Sequence, residues 1–193
     1  MPNQLIPRNT VHDWSEAIGA NPQDHQAALT RLLRGQRRLT RWIQSNREHL
    51  GPQTGGVILY LTGVVVRIFD LAGGRLKGAT WADIREAESR IGERLGGLLP
   101  YDDAFVERFR ASERSQAHVL DEAYMALFQR PKGDEEEELD TAESLKTLML
   151  MWVVTEVLDK NWKPPKTFEG EDEYTYVHIE PEQPEDEDED DAL

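Results

Sequence analysis

The stretch Thr54–Ala72, TGGVILYLTGVVVRIFDLA, is the most continuously apolar part of the chain, and any fold must bury it. Two local structures compete for it. In one, VILYL and VVVRIF pair as a β-hairpin across Thr62-Gly63, which their β-branched residues favour. Neither half alternates, so that hairpin would be apolar on both faces and would need covering layers and further strands. The rest of the chain supplies almost none. In the other, the stretch is a helix whose only strongly polar side chains, Arg67 and Asp70, lie three apart on the side that carries Gly63. A helix apolar nearly all round belongs at the centre of a bundle, and the helical alternative is preferred.

The remaining pattern is helical as well. Pro22 and Asp24 open a helix expected to run to about Leu50, where Gly51-Pro52 stops it. Leu29, Leu32, Leu33, Leu39 and Ile43 gather on one side of it, and Gly35 in its middle marks a close contact or a bend. Thr80 with Asp83 resembles a capping box, followed by Ile84, Ala87, Ile91 and Leu95 at helical spacing. A long pattern from about Asp102 to Gln129 carries Phe105, Phe109, Leu120, Tyr124 and Leu127 on one face; its polar middle, ASERSQA, is a place for a break. Asp140 with Glu143 starts a last helix, about Thr141 to Asn161, apolar round most of its circumference. The expected fold is therefore an all-α helical bundle of about five main helices, two of them (54–72 and 141–161) buried at the centre. Residues 1–21 form an N-terminal arm that docks by Trp14, 22–163 the bundle domain, and 164–193 an extended acidic C-terminal tail with a disordered end.

The two central segments echo each other. VVVRIFD (64–70) set against VVTEVLD (153–159) matches Val64 with Val153, Val65 with Val154 and Asp70 with Asp159, and it places Arg67 against Glu156. Either a helical hairpin has been duplicated, with its buried helices pairing through Arg67 and Glu156, or two valine-rich core helices resemble each other by composition.

Charge divides the chain. Net charge is −15, yet residues 1–130 carry 17 Lys+Arg against 15 Asp+Glu, and the remainder carries 5 against 22. With no cysteine, disulfides, thiol nucleophiles and thiolate metal sites are excluded. The N-terminus shows no basic region leading into an apolar run, and the central stretch, interrupted by Arg67 and Asp70, falls short of about 18 uninterrupted apolar residues, so a soluble cytoplasmic protein is expected.

Motifs for catalysis are sparse. Gly73, Gly78 and Thr80 fit G-x-x-x-x-G-x-T, but Ala79 stands where a phosphate-binding loop needs lysine, so the segment reads as a helix connector. His12, His25, His49, His118 and His178 are scattered, with no Glu-x-x-His or His-Glu-x-x-His, and no cofactor or metal is expected. A possible buried polar set, Arg67 and Asp70 with Glu156 and Asp159, reads as structural ion pairing or as the lining of a small pocket. Arg31, Arg34, Arg38 and Arg41 form a stripe at i, i+3, i+7 and i+10, near Arg37 and Trp42, suited to an acidic partner surface or a phosphate backbone. Tyr174 and Tyr176, in the strand-like run YTYVHI before the acidic end, are candidate contacts for a partner's sheet edge.

These features favour a non-enzymatic helical adaptor or regulatory subunit that binds another protein through the arginine stripe, the acidic extension, or both. Two alternatives stand beside it: a nucleic-acid-associated protein whose tail competes for the arginine face, and an enzyme or small-ligand binder with a polar pocket between the central helices. A homodimer is also open.

Overall fold

The computed structural model describes residues 3–129, 139–166 and 178–179. Among them are eight helices: α1 Arg8–Ala20, α2 Pro22–Gly35, α3 Arg37–Arg47, α4 Pro52–Leu71, α5 Trp81–Leu98, α6 Phe105–Ala111, α7 Ala117–Phe128 and α8 Thr141–Asn161. Three two-residue strands, β1 Arg75–Leu76, β2 Trp162–Lys163 and β3 His178–Ile179, form a small sheet in the order β2-β1-β3. The fold is an all-α bundle, but with more helices than the five expected. The segments 22–50 and 102–129 are each broken in two, and residues 8–20 form a helix packed on α4 and α7.

The apolar stretch is one helix and not a hairpin. Pro52 occupies its first turn, where a missing N–H is no loss, and every residue from Leu61 to Asp70 is buried. By length and composition α4 is sufficient to cross a membrane, which corrects the expectation drawn from its two charges. Its surroundings are those of a core helix: 78% of its apolar window is buried, against α1, α2, α3, α7 and α8. α2 crosses closely at Gly63, where an added Cβ would lie 3.0 Å from Leu29 Cδ2. The second rod, α8, is buried continuously from Leu150 to Asp159 and starts at a capping box in which Asp140 Oδ1 accepts from the Glu143 amide at 2.7 Å.

α4 and α8 lie side by side, parallel and in register. Thr54 Oγ1 donates to Glu143 Oε1 at 2.7 Å near their starts, Thr62 Oγ1 meets Met151 Sδ at 4.0 Å midway, and Trp162 Nε1 donates to the Gly73 carbonyl at 2.8 Å past their ends. Each of these pairs is separated by 89 residues. The same offset aligns the sequence echo, Val64 with Val153 and Asp70 with Asp159. Parallel neighbours cannot be joined by a tight turn, and α5, α6 and α7 occupy the return path.

The two rods end together. Gly73 and Gly74 take positive φ (73° and 86°) and reverse the chain after α4. A Cβ on Gly74 would lie 2.3 Å from the Lys163 carbonyl oxygen, so only glycine fits there. β1 then pairs antiparallel with β2, setting Arg75 opposite Lys163 and Leu76 opposite Trp162. Trp162 packs edge-on against Phe69 at 5.2 Å.

Both helix breaks have polar causes. The chain leaves helical geometry at Gln36 (φ −114°, ψ 47°), one residue after Gly35. The Gln36 side chain, 1% exposed, donates to the Lys77 carbonyl at 2.9 Å and accepts from the Ala79 amide at 3.0 Å, so it fixes the α4–α5 connector to the α2–α3 elbow. In ASERSQA, Arg114 folds over the Phe109 ring at 4.4 Å and donates to Asp121 Oδ1 at 2.6 Å. The next residue, Ser115, turns its amide and hydroxyl to Glu156 on α8.

Candidate functional site

The arginine stripe is split by the elbow at Gln36. Arg31 and Arg34 stand on the last turns of α2, and Arg38 and Arg41 on α3. Arg31, Arg34, Arg37 and Arg41 are exposed, and Arg38 is half-buried. The opposite side of both helices is core: Leu32, Leu39 and Ile43 are at most 1% exposed. Trp42 is also buried, at 7%, so it belongs to the packing side and cannot offer a ring to a base or a peptide. From His25 to Arg47 the sequence holds six arginines and no acidic residue. One arginine turns inward: Arg31 Nη2 stands 3.7 Å from Asp70 Oδ1.

The four polar positions on the central helices fall into two groups. Arg67 pairs within α4 with Asp70 and donates from Nε to His25 Nδ1 of α2 at 3.1 Å. Burial and the neighbouring guanidinium hold His25 below its ordinary value, so its ring is the neutral acceptor in this contact. At the same level on α8, Glu156 and Asp159 face other segments. Glu156 accepts from the Ser115 amide (3.0 Å) and hydroxyl (2.9 Å), from Trp152 Nε1 (3.3 Å) and from Arg90 of α5 (3.0 Å). Arg67 and Glu156 thus hold different partners on different flanking helices, and the central rods are not joined through that pair.

Asp159 organises the N-terminal segment. Gln116 Nε2 donates to Asp159 Oδ1 at 2.7 Å and to the Gln4 carbonyl at 3.0 Å, while its Oε1 accepts from the Ile6 amide at 2.9 Å. Asn3 Nδ2 reaches the Asp159 and Trp162 carbonyls at 2.7 and 3.0 Å, capping orphan acceptors at the end of α8. Burial, with Glu156 nearby, raises the Asp159 carboxyl above its usual value against the pull of Gln116 and Asn3. His118 Nδ1 lies 2.8 Å from the Ile6 carbonyl. These bonds tie the N-terminal segment and residue 116 to the end of α8 and give the cluster a structural role.

A crevice between α1, α4 and α7, lined by Ser15, Tyr60, Val64, Val119, Glu122 and Ala126, has room for about one water, at about 20 Å³. Among the described residues no three metal-ligating side chains converge. The connector 73–80 serves as the joint between α4 and α5, with Thr80 Oγ1 capping α5 by accepting from the Asp83 amide at 3.1 Å. Tyr174 and Tyr176 lie outside the described residues, as does the acidic run after Ile179.

Sequence reasoning passed over the amides that hold this arrangement together, Gln36, Gln116 and Asn3, together with His25, Arg90 and Ser115. The available signal was weak: Gln36 interrupts an apolar face at Gly35, and Gln116 lies in a stretch polar enough to break. The last two residues of the run YTYVHI, His178 and Ile179, pair with β1 of this chain. No protein-family model, curated protein or solved structure matches the chain.

Proposed function

We propose that the chain is a non-enzymatic helical adaptor or regulatory subunit of the cytoplasm that binds a partner protein through the arginine-bearing α2–α3 elbow, with the C-terminal extension as a second contact. The observation that carries this reading is the elbow's single sign: six arginines and no acid from His25 to Arg47, in a chain of net charge −15. Guanidinium groups on adjacent turns suit carboxylates, which they grip in a planar, two-pronged geometry. The buried carboxylates of α8 support the non-enzymatic part of the reading, because their oxygens are bonded to Ser115, Gln116, Trp152 and Arg90 rather than turned to a cavity.

The test is retention from a host lysate by the full chain, by a variant ending at Thr167, and by a variant with Arg31, Arg34, Arg38 and Arg41 changed to glutamine, each with and without nuclease. A protein retained after nuclease and lost from the arginine variant is the expected outcome. Retention abolished by nuclease would replace this reading with a nucleic-acid one, and equal retention by all three chains would end the role of the elbow.

A further inference from the structure

The third strand fixes where the acidic end of the chain begins. β3 lies parallel to β1, with His178 level with Arg75 and Ile179 level with Leu76. β3 therefore runs in the same direction as β1, which leads into Lys77. That direction leads to the α2–α3 elbow, because Gln36 at the bend is hydrogen-bonded to residues 77 and 79. Nine acidic residues follow between Glu180 and Asp191. Twelve extended residues reach about 40 Å, whereas α3 is only about 16 Å long. By length, the run is sufficient to pass along all six arginines.

We propose that the acidic run 180–191 is the resident ligand of the α2–α3 elbow and regulates that surface by competing with acidic partners. The inference rests on reading the elbow as a surface for acidic segments. A tethered ligand acts at an effective concentration on the order of millimolar, so a partner displaces it only by adding contacts beyond charge. Rising salt weakens the internal contact, since charges on an exposed surface are screened over about 8 Å at physiological ionic strength.

The absence of cysteine allows a clean test, because Ala192→Cys introduces a single thiol for a spin label. In low salt the label is expected to broaden amide signals of residues 31–47. The effect should vanish when the acids from Glu182 to Asp191 are changed to their amides. Broadening centred elsewhere, or none, overturns the proposal. A fluorescent oligoglutamate peptide tests the underlying reading separately: the tail-neutralised chain is expected to bind it at least about fivefold more tightly than the full chain, and the Arg34→Gln, Arg37→Gln, Arg41→Gln variant not at all. Peptide binding at residues 31–47 without any tail-induced broadening would remove the resident-ligand proposal and leave the elbow reading standing. No binding by the tail-neutralised chain would remove the elbow reading itself.

Discussion

α4 and α8 are parallel, in register and equally buried at corresponding levels, yet they manage their polar residues in opposite ways. α4 carries a cation and an anion three residues apart, so Arg67 and Asp70 neutralise each other on one helix. At the same two levels α8 carries two acids and no cation, and Glu156 and Asp159 must draw donors from α5, from residues 115 and 116, and from Asn3. Beyond its own helix the α4 pair is held to α2, where His25 accepts from Arg67 and Arg31 approaches Asp70 at 3.7 Å. Two acids with no cation beside them on their own helix make the surrounding segments depend on one another, and α8 thereby becomes the point to which the N-terminal segment, α5 and the α6–α7 joint are tied.

The largest effects should come from removing one buried anion. Asp70→Leu leaves the Arg67 guanidinium, 9% exposed, without its carboxylate, at an expected cost of about 3 kcal/mol. Adding Arg67→Met should return stability to within about 1 kcal/mol of the parent, because a buried ion pair replaced whole by apolar side chains is close to neutral. Glu156→Leu should cost a similar amount, about 3 kcal/mol, with no companion substitution on α8 that restores it, since most of its donors lie elsewhere. Urea unfolding of the parent and the three variants decides the matter. If the α4 double variant is as unstable as Asp70→Leu alone, mutual neutralisation is not what the pair contributes and the contrast fails.

A smaller effect should separate the segments that each helix anchors. Gln116→Ala removes the acceptor of the Ile6 amide and a donor to Asp159, for about 2 kcal/mol. Hydrogen exchange at Ile6 should accelerate sharply, with little change at residues 36–40. Gln36→Ala should do the reverse, loosening the elbow and the 77–79 connector while leaving Ile6 protected. Asn3→Ala, which strips a single amide from the end of α8, should cost about 1 kcal/mol. Equal acceleration at both places in either variant would mean that the two anchorages are one unit.

How much of this was legible in the residues depends on the range of the interaction. The helices follow from local pattern: Thr80 with Asp83 and Asp140 with Glu143 form the two capping boxes that their spacing suggests, and the apolar circumference of 54–72 and 145–158 identifies the buried rods. The elbow is not local. Gln36 breaks the helix because its amide finds residues 77 and 79, about forty positions away, and a helical wheel that treats 22–50 as continuous misses the break. The candidate site suffers most from this. The arginines of the stripe are on the surface of two helices rather than one, and Trp42, which a wheel sets near them, packs into the core. Arg67 and Glu156 have opposite charges at equivalent levels, which invites pairing, but each is turned toward a different flanking helix.

The smallest expected effect is also the one in which the two rods should differ in sign. On the α8 side, burial and then Glu156 raise the Asp159 carboxyl above its ordinary 3.8. The folded protein holds that proton more tightly than the unfolded chain, so the contribution is fully present below 3.8 and is lost as pH rises through the raised value. On the α4 side, burial and then Arg67 lower His25 beneath 6.5. There the unfolded chain binds the proton more tightly, so stability is fully present above 6.5 and is lost as pH falls through the depressed value. Asp83 of α5 is an acid-range background to both: hydrogen bonds from Lys160 and Thr80 outweigh burial and bring it down to about 2, so its contribution is present above 3.8 and lost as pH falls through about 2. Neither Asp159→Asn nor His25→Gln touches that background, and it cancels when each variant is compared with the parent. Relative to the parent, Asp159→Asn should gain stability as pH rises above 3.8, while His25→Gln should gain as pH falls below 6.5. Unfolding free energies measured between pH 4 and pH 8 test both slopes. Two slopes of the same sign would show that His25, packed beside α4, and Asp159 of α8 answer to one shared environment, and the distinction between a self-neutralised rod and an organising one would not survive.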